Sequence, residues 1–160
     1  MPAIVIDDAR ASNFTAWPHA KNVDDLCESV WGYGLRVAYT PHDPEEVDRI
    51  AGAALDCGRV CLLIDEAASF LTAHVGRGRN LSKLMRRHRH AQAHLFLTTQ
   101  HFSGDVSQEA LSCAPRVCIF RNESEAVLDA LKRRYGLDWD TVRKIPQFHY
   151  LERWTGFPPK

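Results

Sequence analysis

Five apolar residues, Val60-Cys61-Leu62-Leu63-Ile64, run without a polar interruption and stop at Asp65-Glu66. A strand whose side chains are apolar on both sides needs cover on both faces, and a parallel sheet layered with helices supplies it. Shorter strands are expected at Ala3–Ile6, Arg36–Tyr39, Leu95–Leu97 and Val117–Phe120, with a last one at Phe148–Trp154 after Pro146.

Helix signals fall between these runs. Asn22 can cap a helix that carries Asp24 and Asp25 in its first turn and ends at Gly32 and Gly34. Asp43, Pro44 and Glu46 stand as N-cap, first helical residue and capping-box partner. Val47, Ile50, Ala51, Ala54 and Leu55 follow at helical spacing, and Gly58 ends the helix. A further helix is expected over Asn80–Ala93, with Leu81, Leu84, Met85 and His88 on one side. Asn122 can cap Glu123–Tyr135, and Asp138 starts a shorter helix. Strands that alternate with helices predict an α/β fold: three layers, a mainly parallel sheet, and helices on both faces. With 160 residues the expectation is one domain over 1–155 and a C-terminal tail over 156–160.

No apolar run reaches membrane-spanning length, so no membrane insertion is expected from this segment. The N-terminus lacks the basic start and apolar stretch of a signal peptide, which predicts a cytoplasmic protein. Cys27, Cys57, Cys61, Cys113 and Cys118 are odd in number and form no C-x-x-C pair, so they read as buried free thiols. The net charge is zero, yet no acid occurs from Ala67 to Gly104. That stretch carries Arg77, Arg79, Lys83, Arg86, Arg87 and Arg89, with His74, His88, His90, His94 and His101. It suits a DNA-contacting surface, since such groups neutralise phosphates and release counterions. It equally suits an electrostatic interface with the acidic first third of the same or a neighbouring chain. His90 and His94, four apart, could share a helix face as metal ligands.

Ligands of open α/β sheets bind at the carboxyl ends of the strands. Three expected strands end in groups suited to phosphate chemistry: Asp7-Asp8, Asp65-Glu66 and Thr98-Thr99-Gln100. Four apolar residues followed by Asp-Glu form the Walker B pattern. Mg²⁺ takes oxygen ligands and keeps several waters, so one carboxylate, Asp65, suffices beside phosphates. Glu66 would orient and deprotonate an attacking water.

In order and spacing, Asp65-Glu66, His88-Arg89-His90 and Thr99-Gln100 resemble the FtsK–HerA superfamily of P-loop ATPases that pump or package DNA. The nearest likeness is to phage assembly proteins of the zonula-occludens-toxin type. The resemblance covers residues 55–122 well and the flanks loosely. It implies a P-loop NTPase-like sheet entered after its first strand, with Ile4-Val5-Ile6-Asp7 as the strand that follows. It implies catalytic roles for Glu66, for Gln100 as the sensor of the γ-phosphate or the water, and for Arg89, Arg86 or Arg87 as an arginine finger reaching a neighbouring subunit. Asp65, as the Mg²⁺ ligand, and Thr99 would contact the cofactor. Arg77, Arg79, Lys83, Arg86 and Arg87 would face nucleic acid or another subunit. The chain would be the ATPase-type domain of a packaging, translocation or virion-assembly motor, in the cytoplasm of a bacterial host if phage-derived.

The family's G-x-x-x-x-G-K-[ST] loop does not occur in these 160 residues, and Gly76-Arg77-Gly78-Arg79 is no substitute. ATP and Mg²⁺ are therefore expected only if that loop is supplied elsewhere, by a homo-oligomer or by a partner chain carrying it. A sheet lacking the loop's strand would leave an edge open to a partner. Two other readings stand: a non-catalytic DNA-binding or assembly module that kept the NTPase fold, and a receiver-like phospho-signalling domain. The second rests on Asp7, Asp8, Asp65 and Thr98, although Arg121-Asn122 ends the next strand where a lysine is expected.

Overall fold

A computed structural model describes residues 1–7, 14, 16–71, 79–100 and 108–154. Asp8, His74, Arg77, His101 and the tail over 156–160 lie outside the described residues. The elements in chain order are β1 (Ala3–Ile6), α1 (Val23–Cys27) continued by a π-helical turn (Glu28–Gly32), β2 (Arg36–Tyr39), α2 (Pro44–Cys57), β3 (Cys61–Ile64), α3 (Ala68–Leu71), α4 (Arg79–Arg87), β4 (His94–Leu97), α5 (Gln108–Cys113), β5 (Arg116–Phe120), α6 (Glu125–Tyr135), α7 (Trp139–Arg143) and β6 (Tyr150–Trp154). They form two compact units, Met1–Gln100 and His101–Lys160.

The first unit is an α/β layer structure around a parallel sheet of order β2-β1-β3-β4. Ile4 pairs with Leu62 and Ile6 with Ile64, while Leu62 faces Leu95 and Ile64 faces Leu97. Partners in register share a face. On that face Ile4, Ile6, Leu62 and Ile64 are wholly buried, as are Val47, Ile50, Ala51 and Ala54 of α2 and Leu84 of α4. Each large aliphatic so buried contributes about 1.5–3 kcal/mol. The opposite face carries Val5, Leu63 and Phe96 in register. Its cover thins toward the edge: Val5 is buried, and Phe96 is 54% exposed. Among the described residues β4 has a neighbouring strand on one side only.

The helix starts obey their local chemistry. Asn22 accepts from the Asp25 N–H and Asp25 accepts from the Lys21 N–H, each at 2.8 Å. Asp43 accepts from the Glu46 N–H at 3.0 Å, and Glu46 returns the bond to the His42 N–H at 2.7 Å. Helix α4 is capped from outside: Asp48 of α2 accepts from the backbone N–H groups of Asn80 and Leu81, both at 2.9 Å. A carboxylate there also meets the positive end of the helix dipole. Helix α4 is shorter than the sequence pattern suggests. His88 Nδ1 lies 2.9 Å from the Met85 carbonyl, and Gln92 adopts φ 53°, so the chain turns over 88–92 and enters β4.

The mainly parallel sheet expected is that of the four strands β1–β4, and the strands of the second unit lie outside it. Strands β5 and β6 pair antiparallel with each other, in a sheet separate from β1–β4. Their inward residues Val117, Ile119 and Leu151 join Val127, Leu128 and Leu131 of α6 with Leu137, Val142 and Ile145 in one apolar cluster. Helix α6 begins at Glu125, two residues later than Asn122 suggests, because Asn122 Oδ1 is taken by the Ser124 N–H at 2.9 Å. Helices α3 and α5 carry no clear sequence signal.

A candidate carboxylate site at the strand ends

The parallel ladder continues one residue beyond each strand. Asp7 N–H donates to the Tyr39 carbonyl at 3.0 Å, Asp65 N–H to Ile6 at 2.9 Å, and Thr98 N–H to Ile64 at 3.1 Å. Three strand ends are thereby held level at the carboxyl rim. In the order β2-β1-β3-β4 the strands are all parallel but the order of their addition reverses between β1 and β3, and such switch points are where these sheets bind ligands. Asp7 and Asp65 follow those two strands.

A tight turn after β3 then locks onto the end of β4. Glu66 has φ 46°, a conformation that few non-glycine residues adopt. The turn closes through Ala67 N–H, which donates to the Thr98 carbonyl at 2.7 Å. The Thr98 hydroxyl accepts from the Glu66 N–H at 3.2 Å and donates to Asp65 Oδ1. Glu66 Oε1 accepts from the Thr99 hydroxyl at 3.2 Å, and both its carboxylate oxygens accept from the Gln100 N–H at 3.2 Å. Asp65 and Glu66 are both half-buried, and neither forms an ion pair with a described residue. Asp7 is only 2% exposed.

Asp65, Glu66, Thr99 and Gln100 are thus brought together. Thr98 joins them as the hydroxyl that links both acids, a role its neighbour's pattern conceals in sequence. The donor set of carboxylates and hydroxyls is all hard oxygen, which fits Mg²⁺. A triphosphate is a different matter: no described element offers the run of backbone N–H groups and lysine that would cradle it.

The described basic residues of the tract lie on α4 and in the turn after it. Arg79 is the first residue of α4, and Lys83, Arg86 and Arg87 follow along it. Arg86 Nη2 donates to Ser82 Oγ at 2.9 Å. Arg89 lies in the turn before β4, at the amino rim, since Arg59 N–H and Ala91 carbonyl meet there at 3.2 Å. Four residues of strand, roughly 13 Å, separate that rim from the carboxylates. Arg89 therefore does not reach Glu66 of its own chain. Lys83, Arg87 and Arg89 are exposed and form no ion pair with a described residue. His90 sits in the turn and His94 in β4, so the two do not share a helix face.

The five cysteines are free, but Cys57 and Cys118 are exposed rather than buried. Burial pushes the Cys27 and Cys61 thiols above their ordinary range, which keeps them in the unreactive protonated form. Among the described residues no helix is long and apolar enough to cross a membrane.

No protein-family model matches the sequence, and no curated protein does. Solved structures do share its fold. The genome packaging NTPase B204 from Sulfolobus turreted icosahedral virus 2, in complex with ATP-gammaS, matches at a TM-score of 0.74 and 18% identity, over 95% of this chain and 77% of that one. The same protein with AMPPCP gives 0.75 and 18%, over 96% and 76%. The DNA-packaging ATPase B204 from Sulfolobus Turreted Icosahedral Virus gives 0.74 and 18%, over 96% and 77%. At that identity the likeness establishes the fold: an α/β architecture of the P-loop NTPase kind with a mainly parallel four-stranded sheet.

Proposed function

We propose that this chain is the ATPase-type domain of a viral DNA-packaging, translocation or virion-assembly motor, of the FtsK–HerA type and nearest to the zonula-occludens-toxin-like phage proteins. The observation that carries this reading is the seating of Glu66. Its carboxylate is held by Thr99 and Gln100, beside Asp65 and Thr98, at the carboxyl rim of a sheet whose fold is shared with a packaging NTPase. Nucleotide and DNA are properties of B204, and their transfer to this chain is part of the proposal.

In this reading Asp65 holds Mg²⁺, directly or through water, and the ion supplies the positive charge that neutralises transferring phosphates. Glu66 orients a water and takes its proton, and its three bonds fix the carboxylate before substrate arrives. The Gln100 side chain senses the γ-phosphate or that water. The cradle for the triphosphate comes from outside these 160 residues, and the edge of β4, which has no second neighbouring strand among the described residues, suits a strand that would bring it. Arg86, Arg87 and Arg89, at the rim away from Glu66, serve a neighbouring subunit of a homo-oligomer or, with Arg77, Arg79 and Lys83, grip DNA. Residues 1–155 act as one functional domain and 156–160 as a tail.

Mg²⁺-dependent ATP turnover by the assembled protein tests this. Glu66→Gln should retain nucleotide and lose turnover, and an unchanged rate removes Glu66 from the chemistry. If the protein neither binds nor hydrolyses ATP at high concentration, the non-catalytic assembly or DNA-binding module takes its place.

The strand order gives the receiver reading one observation in its favour, because Asp7, Asp65 and Thr98 follow β1, β3 and β4 of a 2-1-3-4 sheet. Against it, β5 pairs with β6 instead of extending the parallel sheet beside β4. Acetyl phosphate separates the two: phosphorylation of Asp65, seen as a mass gain, is required by the receiver and not by the motor.

A further inference from the structure

Helices α1 and α2 pack side by side and are tied at two levels. Arg49 Nη2 lies 3.0 Å from Asp24 Oδ1, and the Trp31 indole N–H donates to the Gly58 carbonyl at 3.0 Å. On α1 and its π-helical turn, Asp24, Cys27 and Trp31 follow at helical spacing and form one stripe. On α2, Arg49, Ala53 and Cys57 form another. The two ties turn these stripes toward each other, and Cys27 lies between them, one turn before Trp31. Cys57 adjoins Gly58, and helical side chains lean back toward the N-terminus, which carries its sulfur over Ala53 toward the level of Cys27. Ala53 contributes only a methyl group there. The electrostatics agree with this placement. Burial pushes the Cys27 thiol up most, the charges of Asp24 and Cys57 push it further, and Arg49 opposes them. All three of those charges belong to the two stripes. Cys57 is exposed and Cys27 half-buried. The remaining thiols are placed differently. Cys61 stands on the sheet face opposite to Leu62, away from α2, and Cys113 and Cys118 belong to the second unit.

We propose that Cys27 and Cys57 form a redox modification site, a dithiol that hydrogen peroxide closes to a disulfide clamping α1 onto α2. Cys57 meets the oxidant first because it is exposed. Its sulfur attacks the O–O bond, one water leaves, and Cys57 becomes a sulfenic acid. The Cys27 sulfur then attacks the Cys57 sulfur; the S–O bond breaks, a second water leaves and the S–S bond forms. The two thiols give up two hydrogens with their electrons, and the peroxide is reduced to two waters. Little of the Cys27 thiol is ionised, but attack on a sulfur held by the facing helix is intramolecular, which offsets the small thiolate fraction. The closed loop runs from Cys27 to Cys57 and contains β2 and nearly all of α2, so the bridge constrains the unfolded chain. The inference does not rest on the roles given to Asp65 and Glu66.

The test treats the full, reduced chain with hydrogen peroxide, alkylates the remaining thiols and maps the peptides by mass. The expected product is two hydrogens lighter, carries a cross-linked Cys27–Cys57 peptide within one molecule and reverts with dithiothreitol. It should melt several degrees above the reduced form, as a loop-closing bridge requires. Cys57→Ser should abolish both the cross-link and the shift. Cys27→Ala should leave Cys57 as a sulfenic acid that dimedone traps, and Cys118→Ser should leave the bridge unchanged. A Cys27 that is still alkylated overturns the inference, whether or not Cys57 has been oxidised. A bridge from either residue to another cysteine, or to a second molecule, overturns it as well. Glu66→Gln, run alongside, should form the same bridge, so a failure of the motor proposal stays separate from a failure here.

Discussion

The Thr99 hydroxyl donates to Glu66 Oε1 at 3.2 Å and so ties the end of β4 to the turn after β3. The contact fixes a carboxylate that would otherwise sample several rotamers. Thr99→Val keeps the side chain's shape and removes the donor, and the net loss for such a bond is about 1 kcal/mol. A double-mutant cycle with Glu66→Ala, measured by urea unfolding, should return a coupling of that order. A coupling near zero would mean that the bond does not hold in solution.

Asp48 fixes where the basic helix begins. Its carboxylate takes the N–H groups of both Asn80 and Leu81. Bonds to a charged acceptor are the stronger kind, so Asp48→Ala should cost about 2 kcal/mol. Hydrogen exchange should quicken first at the start of α4, while the amides of β1 and β3 stay protected. Uniform acceleration across the sheet would place the loss elsewhere.

Gly58 cannot be replaced. It lies at φ 61°, and a Cβ there would stand 2.3 Å from the Ala91 carbonyl oxygen. The same junction receives the Trp31 indole N–H, which donates to the Gly58 carbonyl at 3.0 Å. Both objections are backbone ones, so side-chain repacking gives no relief. Gly58→Ala should cost at least about 2 kcal/mol, from left-handed strain and the forced separation of two loops. A thermal melt within about 1 °C of the parent would contradict this.

The Asp138 cap carries a pH signature. Bonds from the Thr141 hydroxyl and N–H hold the Asp138 carboxyl below the ordinary carboxylate range. A group lowered in the folded state stabilises above its unfolded pKa and loses that contribution as pH falls through the folded one. The local stability of α7 should therefore be flat from neutral pH down to the ordinary carboxylate range and decline below it. Asp138→Asn should flatten that decline, as followed through the amide signals of Thr141 and Val142.

The first hundred residues were largely legible because their signals are local. Asp43-Pro44 and Gly58 bound α2 where the caps say they should, and the β3 run stops at Asp65 as the apolar pattern does. The rim was legible too, since parallel strands must bring their carboxyl ends together. What stayed hidden depends on partners far along the chain. Nothing in Val117–Phe120 says that its neighbour will be the antiparallel Tyr150–Trp154, because an apolar run does not name the strand it pairs with. Asp48 as a cap for α4 was invisible for the same reason: donor and acceptor are 32 residues apart. Thr98 reads as a strand-end polar residue, and only the positive φ of Glu66 brings a backbone N–H within its reach.

The basic tract makes the last prediction. Lys83 and Arg87 are exposed, lie on one helix and carry no ion pair with a described residue. If they meet DNA phosphates, each contact releases counterions and steepens the fall of affinity with salt by about 0.9 in log–log slope on duplex DNA. Replacing both by glutamate should weaken duplex binding at low salt and reduce that slope by about 2, with no change in sequence preference. The substitutions sit on a solvated surface away from the Ile4–Leu62–Ile64 core, so stability should stay within about 0.5 kcal/mol. An unaltered slope together with a lost oligomer would turn the tract from a DNA grip into a subunit interface.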